Sequence, residues 1–593
     1  MRRKQQIWMI STLTAFACGK HDRHKISPPN PSSAMEETTT QEPQTVDAHA
    51  TASAAFHTAA RFLTADNSDS THPIPGISPG ELTQPNAYLP RRLTRPQYLS
   101  AMEVLFNVDL SAERAALPLE TQVEGFIGNV AALTVSAKHI EGYDQLAEKA
   151  VRKIPQFDKV IRQYTSCQNL AQASCMHTFI ERLGAVVWRG SLSTAEVQHF
   201  EPIIRTAREQ KLSFTATAQH VLMAMLQSPR FLYLLENEQP AGGSSDYRIS
   251  TQAETLSRMT LFVLDTVPSP RDMQIAQGLD LRQAQGRLQL LDHLLKSDRK
   301  QHASARFVLD WSGVSTFAEQ NMPGMSKNET AVLMSSLVRS YQDIAWKNKS
   351  SLMELFTLDE FYISQNISRF FDLPTARAQQ NLQQQRPGEA ERRGILTHPA
   401  FLAAMSDNDA GAIVIRGLNL LDRVFCGTIG SPPAELMIDE FTHHLDKKAT
   451  ERDYSEERLS KAQCAGCHMQ FDTLAHAFER FNRQGIYHRH NAFQSPLRAD
   501  GKFTNLFGSF EFSDNRGYAT QIQRNVAVQK CLVQKHLEFA LGHSLHPRQQ
   551  GFVTRIHAQL TQGQKTMSYV NLLREIVRDD FFIISQRPTG DLP

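Results

Sequence analysis

The sequence predicts a mainly α, multi-domain protein. The chain has 593 residues, enough for about three to five compact units that each bury a core. Apolar residues recur at the three- and four-residue spacing of amphipathic helices in many segments, whereas alternating strand patterns are few. The charged fraction of 21% is typical of a globular protein, and the net charge of +2 gives no reason to expect a nucleic-acid partner.

Residues 1–18 have the layout of a secretory signal peptide. A basic start precedes an apolar run over residues 7–17, which is too short to span the ~30 Å hydrocarbon core of a membrane. The run ends at Cys18 and resembles a lipoprotein box, with Ala15 where Leu is usual. We therefore expect an exported protein in the periplasm or outer membrane, lipid-anchored through Cys18. Simple secretion with cleavage after Ala17 is the alternative.

Residues 19–90 are predicted to form a disordered linker. They are rich in Pro, Ser, Thr and Glu and lack apolar periodicity, apart from a briefly helical pattern from Ala52 to Leu63. No stretch of the mature chain reaches ~18 uninterrupted apolar residues. We therefore expect the lipid to be the membrane attachment, with the linker holding the body away from the bilayer.

The body is expected to be helical from its start. Thr94 is placed to cap a first helix, and Ser250 or Thr251, followed by Glu254, is placed to cap another. Further helical patterns cover residues 175–187, 216–235, 278–296 and 303–311. Strand patterns are limited to residues 485–488 and 508–512, and the polar run 379–387 is typical of a domain boundary.

The segment Lys461-Ala-Gln-Cys464-Ala-Gly-Cys467-His468 carries the most specific chemical signal. Cys-x-x-Cys-His is the attachment signature of c-type haem. Residues at i, i+3 and i+4 share one helix face, so two cysteines can form thioethers while the histidine binds iron as proximal ligand. We therefore expect one covalent haem c in a cytochrome-c-like segment near the C-terminus, held by Cys464, Cys467 and His468.

Other interpretations of this motif are a disulfide between Cys464 and Cys467, or a structural zinc site completed by His488 and His490. A thioredoxin-like redox pair would need a βαβ setting, which the sequence does not predict. Downstream apolar residues at helical spacing could line a dry pocket beside the ring or belong to the core. They are Phe471, Leu474, Ala475, Phe478 and Phe481.

The sixth iron ligand is left open by the sequence. Met405 and His398 are the first candidates, and other Met and His residues also qualify by residue type. These are Met437, His443 and His444. Each could equally be an ordinary core or surface residue.

The seven cysteines have one assignment that uses all of them. With Cys18 lipidated and two cysteines bound to haem, four remain in an oxidising compartment. Cys167–Cys175 is the local pair and needs a turn, because eight residues of continuous helix would separate the two by ~12 Å. Cys426–Cys531 is then the second disulfide. Buried free thiols are the alternative for each pair.

Several segments together resemble a family of exported bacterial proteins described as planctomycete-cytochrome-like and built from five consecutive domains of unknown function. The segments begin at Leu93 (Leu-Thr-Arg-Pro-Gln-Tyr, similar to "LTR-x-EY"), Cys175 (to Leu192, its end similar to "FRRPL", with Gly190-Ser191 for Arg-Pro), Leu226 ("SPRFLYR"), Gly394, Cys464 ("CxxCH-x-x-x-DPLG") and Lys530 ("C-x-x-x-x-L-x-YALG"). In the motif segment Thr473 replaces the usual Pro, and His476 stands near the usual Gly.

The resemblance implies five helical domains after the linker, with the haem motif in the fourth. Their expected bounds are 91–155, 156–240, 246–378, 390–492 and 500–585. The expected function is that of a monohaem redox protein, which transfers electrons or oxidises an envelope or extracellular substrate through an unidentified redox partner. A peroxidase-like enzyme would need an open sixth position. The remaining alternative is a non-catalytic, disulfide-stapled envelope lipoprotein that binds a polymer or protein partner.

Overall fold

The computed structural model describes residues 90–165, 167, 169–170, 172–235, 247–347, 350–406, 412–430, 448–563 and 565–586. The predicted signal peptide, Cys18 and the linker up to residue 89 lie outside these ranges. So do the candidate ligands Met437, His443 and His444.

Helices dominate the described chain, which confirms the mainly α prediction. The α-helices are Arg95–Phe106, Ala137–Lys153, Phe157–Tyr164, Ala173–Val187, Thr194–Gln198, Glu201–Glu209, Phe214–Gln227, Pro229–Leu232, Gln252–Leu264, Pro270–Ala276, Ala284–Leu294, Lys300–Trp311, Lys327–Ala345, Pro399–Ala404, Ala412–Phe425, Glu451–Ser460, Ala462–His468, Asp472–Ala475, Asn515–Arg524, Val526–Leu541, Gln550–Thr561 and Tyr569–Arg578. Short 3₁₀ segments include Leu352–Thr357, Gln365–Phe371 and Asp580–Ile583.

Helix starts follow the capping residues in the sequence. Thr94 and Gln97 form a capping box at Arg95–Phe106, with Pro in its first turn. Thr251 and Glu254 form another, in which the Thr251 N–H donates to the Glu254 carboxylate at 2.9 Å. In each box the two side-chain oxygens accept from two backbone N–H groups, one at the capping residue and one three residues later, that would otherwise lack partners.

The sheets are all two-stranded and antiparallel in the described chain, and two of them join segments far apart in sequence. Strand Arg91–Arg92 pairs with strand Tyr233–Leu234, so the two ends of the segment between them lie side by side. Strand Tyr247–Ile249 pairs with strand Ile584–Gln586, so the start and the end of this second segment are also adjacent. Each of the two long segments therefore begins and ends in the same small sheet.

Helices from different predicted domains share one set of buried apolar side chains. Gln252–Leu264 packs against Val526–Leu541, and Ala284–Leu294 packs against Tyr569–Arg578. At the centre, the rings of Phe307 and His536 stack with centroids 3.7 Å apart. The predicted domains therefore do not each have a separate core, because helices from one domain pack against helices from another.

Strand predictions had mixed outcomes. Gly508–Phe512 is a strand, paired with Gly501–Asn505 in a hairpin. Residues 485–488 contribute only an isolated bridge between Phe481 and Tyr487. The polar run 379–387, expected to be a boundary, contains strand Gln383–Gln385 paired with Phe361–Ile363. The backbone hydrogen bonds of that pair stabilise a strand that its glutamines did not indicate.

Both expected disulfides are present. Cys167 and Cys175 are bonded with their Cα atoms 6.0 Å apart, because the chain turns before helix Ala173–Val187. Gln172 stands at the N-cap position of that helix, without a side-chain capping hydrogen bond. Cys426 and Cys531 are bonded with Cα atoms 5.3 Å apart, and they join the end of helix Ala412–Phe425 to helix Val526–Leu541.

Within the part of the chain that the structure describes, every helix is too short or too polar to span a membrane.

Candidate functional site

The Cys-x-x-Cys-His motif forms its own short helix, Ala462–His468. It follows helix Glu451–Ser460, whose N-terminus is fixed by a capping box between Thr450 and Asp453. The two helices pack closely against each other. The motif helix therefore rests on a helix that begins at Glu451 and ends two residues before it.

The reactive atoms of the motif lie at the accessible surface of this helix. Cys464 is partly exposed, Cys467 is exposed, and both are free thiols. The side chain of His468 is 23% exposed. A Cβ added at Gly466 would meet no atom within 4 Å, so the outer side of the spacer is open.

The imidazole of His468 is oriented by Asp472, which lies four residues further along the chain at the start of helix Asp472–Ala475. Its Nδ1 lies 3.1 Å from Oδ1 of Asp472. An ionised carboxylate can only accept hydrogen bonds, so Nδ1 carries the hydrogen and donates it. The Nε2 atom then keeps its lone pair. The ring of Phe471, with its centroid 4.9 Å from that of His468, packs beside it.

Asp472 itself is completely buried and stays ionised because of its partners. Its Oδ2 accepts from Ser455 Oγ at 2.9 Å and from Arg458 Nε and Nη2 at 3.2 and 2.9 Å. Burial acts to raise the pKa of Asp472, but the hydrogen bond from His468 and the charge of Arg458 outweigh it and hold the pKa below its ordinary value.

A second histidine completes this network. His476 Nε2 lies 2.9 Å from Ser455 Oγ. Because the Ser455 hydroxyl donates to Asp472, His476 must donate to the hydroxyl oxygen. Burial, with a contribution from Arg452, lowers the pKa of His476 to about 3, so the ring is neutral. The chain of donors therefore runs from His476 through Ser455 to Asp472, which also accepts from His468.

Two buried arginines hold the segment that follows the motif. Arg416, on helix Ala412–Phe425, donates from Nη1 to the carbonyls of Phe478 and Phe481 at 3.0 and 2.6 Å, and from Nη2 to the carbonyl of Asn482 at 2.6 Å. The carbonyls of Phe478 and Asn482 also accept from the backbone N–H groups of Phe481 and Gly485, so the guanidinium ties together a turn that its own backbone already closes. Arg416 therefore fixes the chain just beyond the motif.

Arg392 fixes the next turn. Its Nη2 donates to the carbonyl of Gly485 at 2.7 Å and to the carboxylate of Asp372 at 2.6 Å. Gly485 has a φ of +74°, and a Cβ there would lie 2.7 Å from the Cα of Pro399. The turn therefore needs glycine both for its backbone conformation and for this close approach.

Four family models match the chain, in consecutive order. In sequence they are PSD3, protein of unknown function (DUF1587), over residues 91–155; PSD5, protein of unknown function (DUF1595), over 175–236; PSD4, protein of unknown function (DUF1592), over 251–373; and PSCyt3, protein of unknown function (DUF1588), over 392–491. Together they cover more than half of the chain. The chain belongs to the planctomycete cytochrome-like series.

The haem-like motif of this chain lies inside the last matched range of the planctomycete cytochrome-like series. The supporting helix Glu451–Ser460 and both buried arginines lie there too. The expected fifth domain over 500–585 stays a prediction. No curated protein and no solved structure matches the chain.

His398, predicted as a sixth iron ligand, has another role in this member of the series. It caps helix Pro399–Ala404, and its Nδ1 accepts from the Ala400 N–H at 3.2 Å. Its Nε2 lies 3.0 Å from Ser336 Oγ, whose hydrogen goes to the Tyr362 carbonyl, so Nε2 carries a proton. Both ring nitrogens of His398 are thus engaged in hydrogen bonds in this structure, and its ligand role stays a prediction.

Met405 and the two proposed zinc ligands lie in different surroundings. Met405 is fully buried at the end of the same short helix, and its ligand role stays a prediction. His488 hydrogen-bonds to Asn482, and no group of three or more His, Cys, Asp or Glu side chains in the described residues is arranged to hold a metal ion. The zinc interpretation with His488 and His490 therefore has no assembled ligand set there.

The downstream apolar stripe is core. Phe471, Leu474, Ala475, Phe478 and Phe481 are all buried.

Sequence reasoning missed the residues that orient His468. The signal for Asp472 was present, because His-x-x-x-Asp is the i, i+4 spacing of facing side chains. Ser455 and Arg458 lie on a different helix, and nothing in their sequence context indicates a carboxylate partner. Arg416 belongs to a segment that resembles the series, but its role as a clamp depends on tertiary packing.

Proposed function

We propose that the chain is an exported, monohaem c-type cytochrome-like redox protein. In this proposal Cys464 and Cys467 form thioethers with one haem, and His468 is its proximal iron ligand. The observation that carries the proposal is the hydrogen bond from His468 to buried Asp472. It presents a histidine with a fixed tautomer beside two free, accessible thiols.

The residues of the motif suit this group. Cys464 and Cys467 are three residues apart on one helix, and both are accessible. The spacer adds little bulk, because Gly466 opens to free space. A porphyrin edge needs such room along the helix that carries both of its attachment points. When bound, the haem would supply one-electron chemistry at its iron.

The protein supplies orientation and rigidity. Metal-binding histidines commonly donate their second ring nitrogen to a carboxylate, which fixes the tautomer and raises the basicity of the ligand. Asp472 is placed to do this through Nδ1, so Nε2 is the donor atom left for iron. Arg416 and Arg392 hold the following segment, and the Cys426–Cys531 disulfide anchors the helix that carries Arg416. A ligand set held this way moves little when the charge of the iron changes.

The partner in this proposal is an unidentified redox protein or an envelope or extracellular substrate. The accessible position of the motif supports exchange of electrons with a partner at the surface. The signal-like N-terminus supports export, and lipidation at Cys18 would place the body at the periplasmic or outer-membrane surface.

The test is haem content after expression with a c-type maturation system. A pyridine haemochrome spectrum should give one haem per chain, retained after acid–acetone extraction because thioethers survive denaturation. The double variant in which Cys464 and Cys467 are both replaced by Ala should lose this resistance to extraction, because it has no thiol left to form a thioether. Gln463→Ala, an exposed change on the same helix, should keep it. A folded, colourless parent protein would contradict the proposal.

A further inference from the structure

The two oxygens of Asp472 have separate tasks. Oδ1 accepts from His468 at 3.1 Å, whereas Oδ2 accepts from Ser455 and from both Nε and Nη2 of Arg458. The carboxylate is completely buried, while the Arg458 side chain is 23% exposed. The side chain of His468 is also 23% exposed, and both partners contact the buried carboxylate directly, His468 at Oδ1 and Arg458 at Oδ2.

We infer that Asp472 is a positioning residue that lowers the reduction potential of the site through His468. The inference rests on the proposed function, since it concerns the haem iron that His468 would bind. A carboxylate that accepts the Nδ1 hydrogen makes the imidazole a stronger electron donor, which favours the oxidised, more positive iron. The haem that Cys464, Cys467 and His468 would hold would supply the one-electron chemistry, and Asp472 would act on it only through His468.

Ser455 and Arg458 act against this effect. Each donates a hydrogen bond to Oδ2 and draws electron density toward that oxygen. Oδ1 then becomes a weaker acceptor for the hydrogen on Nδ1 of His468. His476 enforces the direction of the Ser455 hydroxyl, because its own N–H occupies the hydroxyl oxygen. Asp472 thus lowers the reduction potential, whereas Ser455 and Arg458 limit how far it falls. Substitutions of Asp472 and of its two partners should therefore shift the potential in opposite directions.

The experiment is a potentiometric titration of the purified haem-loaded protein and its variants. Asp472→Asn should shift the midpoint potential to more positive values. Arg458→Gln should shift it to more negative values, and Ser455→Ala should do the same by a smaller amount. Glu457→Gln removes a carboxylate on the same helix that pairs with Lys461 and touches no part of the network, so it should leave the potential unchanged.

The outcomes separate the inference from the proposed function. If the parent protein binds no haem, the proposed function fails. If haem is bound and Asp472→Asn leaves the potential unchanged, or shifts it no more than Glu457→Gln does, the inference fails alone. Should Asp472→Asn not fold, Arg458→Gln and Ser455→Ala still decide, because both keep the carboxylate. A positive shift, or none, in these two variants would overturn the inference.

Discussion

Gly417 lies directly against the backbone carbonyl of Phe471: a Cβ added at Gly417 would lie 2.3 Å from that oxygen. Helix Ala412–Phe425 therefore contacts the chain immediately after His468 with no room for a side chain. Its neighbour Arg416 clamps the same segment from that helix. The position of the haem-like motif thus depends on a glycine and an arginine about fifty residues earlier in the sequence.

Gly417→Ala should destabilise the protein by about 1–3 kcal/mol, the usual cost of overpacking, although alanine favours helices more than glycine does. Gly551→Ala is the matched control. It also lies in a helix, but a Cβ there meets nothing within 4 Å, so stability should be unchanged or slightly higher. Urea unfolding measures both variants. Equal effects at the two positions would show that the close approach at Gly417 is tolerated.

The two disulfides should differ in their contribution to stability. The Cys426–Cys531 bridge spans 105 residues, whereas Cys167–Cys175 spans 8. A long loop loses more chain entropy when it is closed, so replacing both Cys426 and Cys531 by Ala should cost about 2–5 kcal/mol. Replacing both cysteines of the short bridge should cost less.

The long bridge should also affect the site, because Cys426 directly follows the helix that carries Arg416. Thermal unfolding, with visible absorbance for the haem-loaded protein, compares the two double variants. Non-reducing peptide mapping of the parent should recover the same two pairs. A larger loss of stability from the short bridge would contradict this account.

His536 should make stability depend on acid pH. Burial lowers its pKa to about 3, so the folded protein keeps it neutral, whereas the unfolded chain protonates it below its ordinary value of 6.5. Its contribution is therefore complete above pH 6.5 and is lost as the pH falls from 6.5 toward 3. Each pH unit in this window costs about 1.4 kcal/mol for one proton.

In the His536→Gln variant, unfolding no longer takes up this proton, because glutamine does not ionise. The slope of unfolding free energy against pH, measured by urea unfolding between about pH 4 and 6, should decrease by one proton. Gln198→Ala changes an exposed side chain that binds no proton and should leave the slope as it is in the parent. An unchanged slope in His536→Gln would mean that this ring is protonated in the folded state.

Local signals in the sequence predicted local structure well. Thr94 and Thr251 start helices because their capping partners lie three residues away, and both boxes formed. Strand Gln383–Gln385 was not predictable, since its glutamines carry no strand pattern and its partner is about twenty residues away. His398 looked like a candidate ligand by residue type, but its environment depends on Ser336 and Ala400, which the sequence does not place beside it.

In the candidate site, too, the sequence predicts some residues and not others. The motif residues Cys464, Cys467 and His468 are visible as a pattern, because attachment chemistry requires fixed spacing. The residues that orient His468 come from two stretches of chain, residues 455–458 and 472–476. Their assembly results from packing between helices, which periodicity and capping do not encode.

The proposed lipid anchor has a direct test. Cys18→Ser should move the protein from the membrane fraction to the soluble periplasmic fraction, since ~0.8 kcal/mol of membrane affinity is lost with each buried methylene of the acyl chains. Ser11→Ala, a change within the same predicted signal region, is the control and should leave the distribution as in the parent. Equal membrane association of Cys18→Ser and the parent would refute lipidation.

The central claim is covalent haem at the motif, and the intact mass of the denatured chain tests it most directly. After expression with c-type maturation, the account predicts a mass increase equal to one haem. The increase should map to the peptide that contains Cys464 and Cys467 and should be absent when both are replaced by Ala. A folded protein that carries the mass of the polypeptide alone, with Cys464 and Cys467 recovered as free thiols or as a disulfide, would contradict the account.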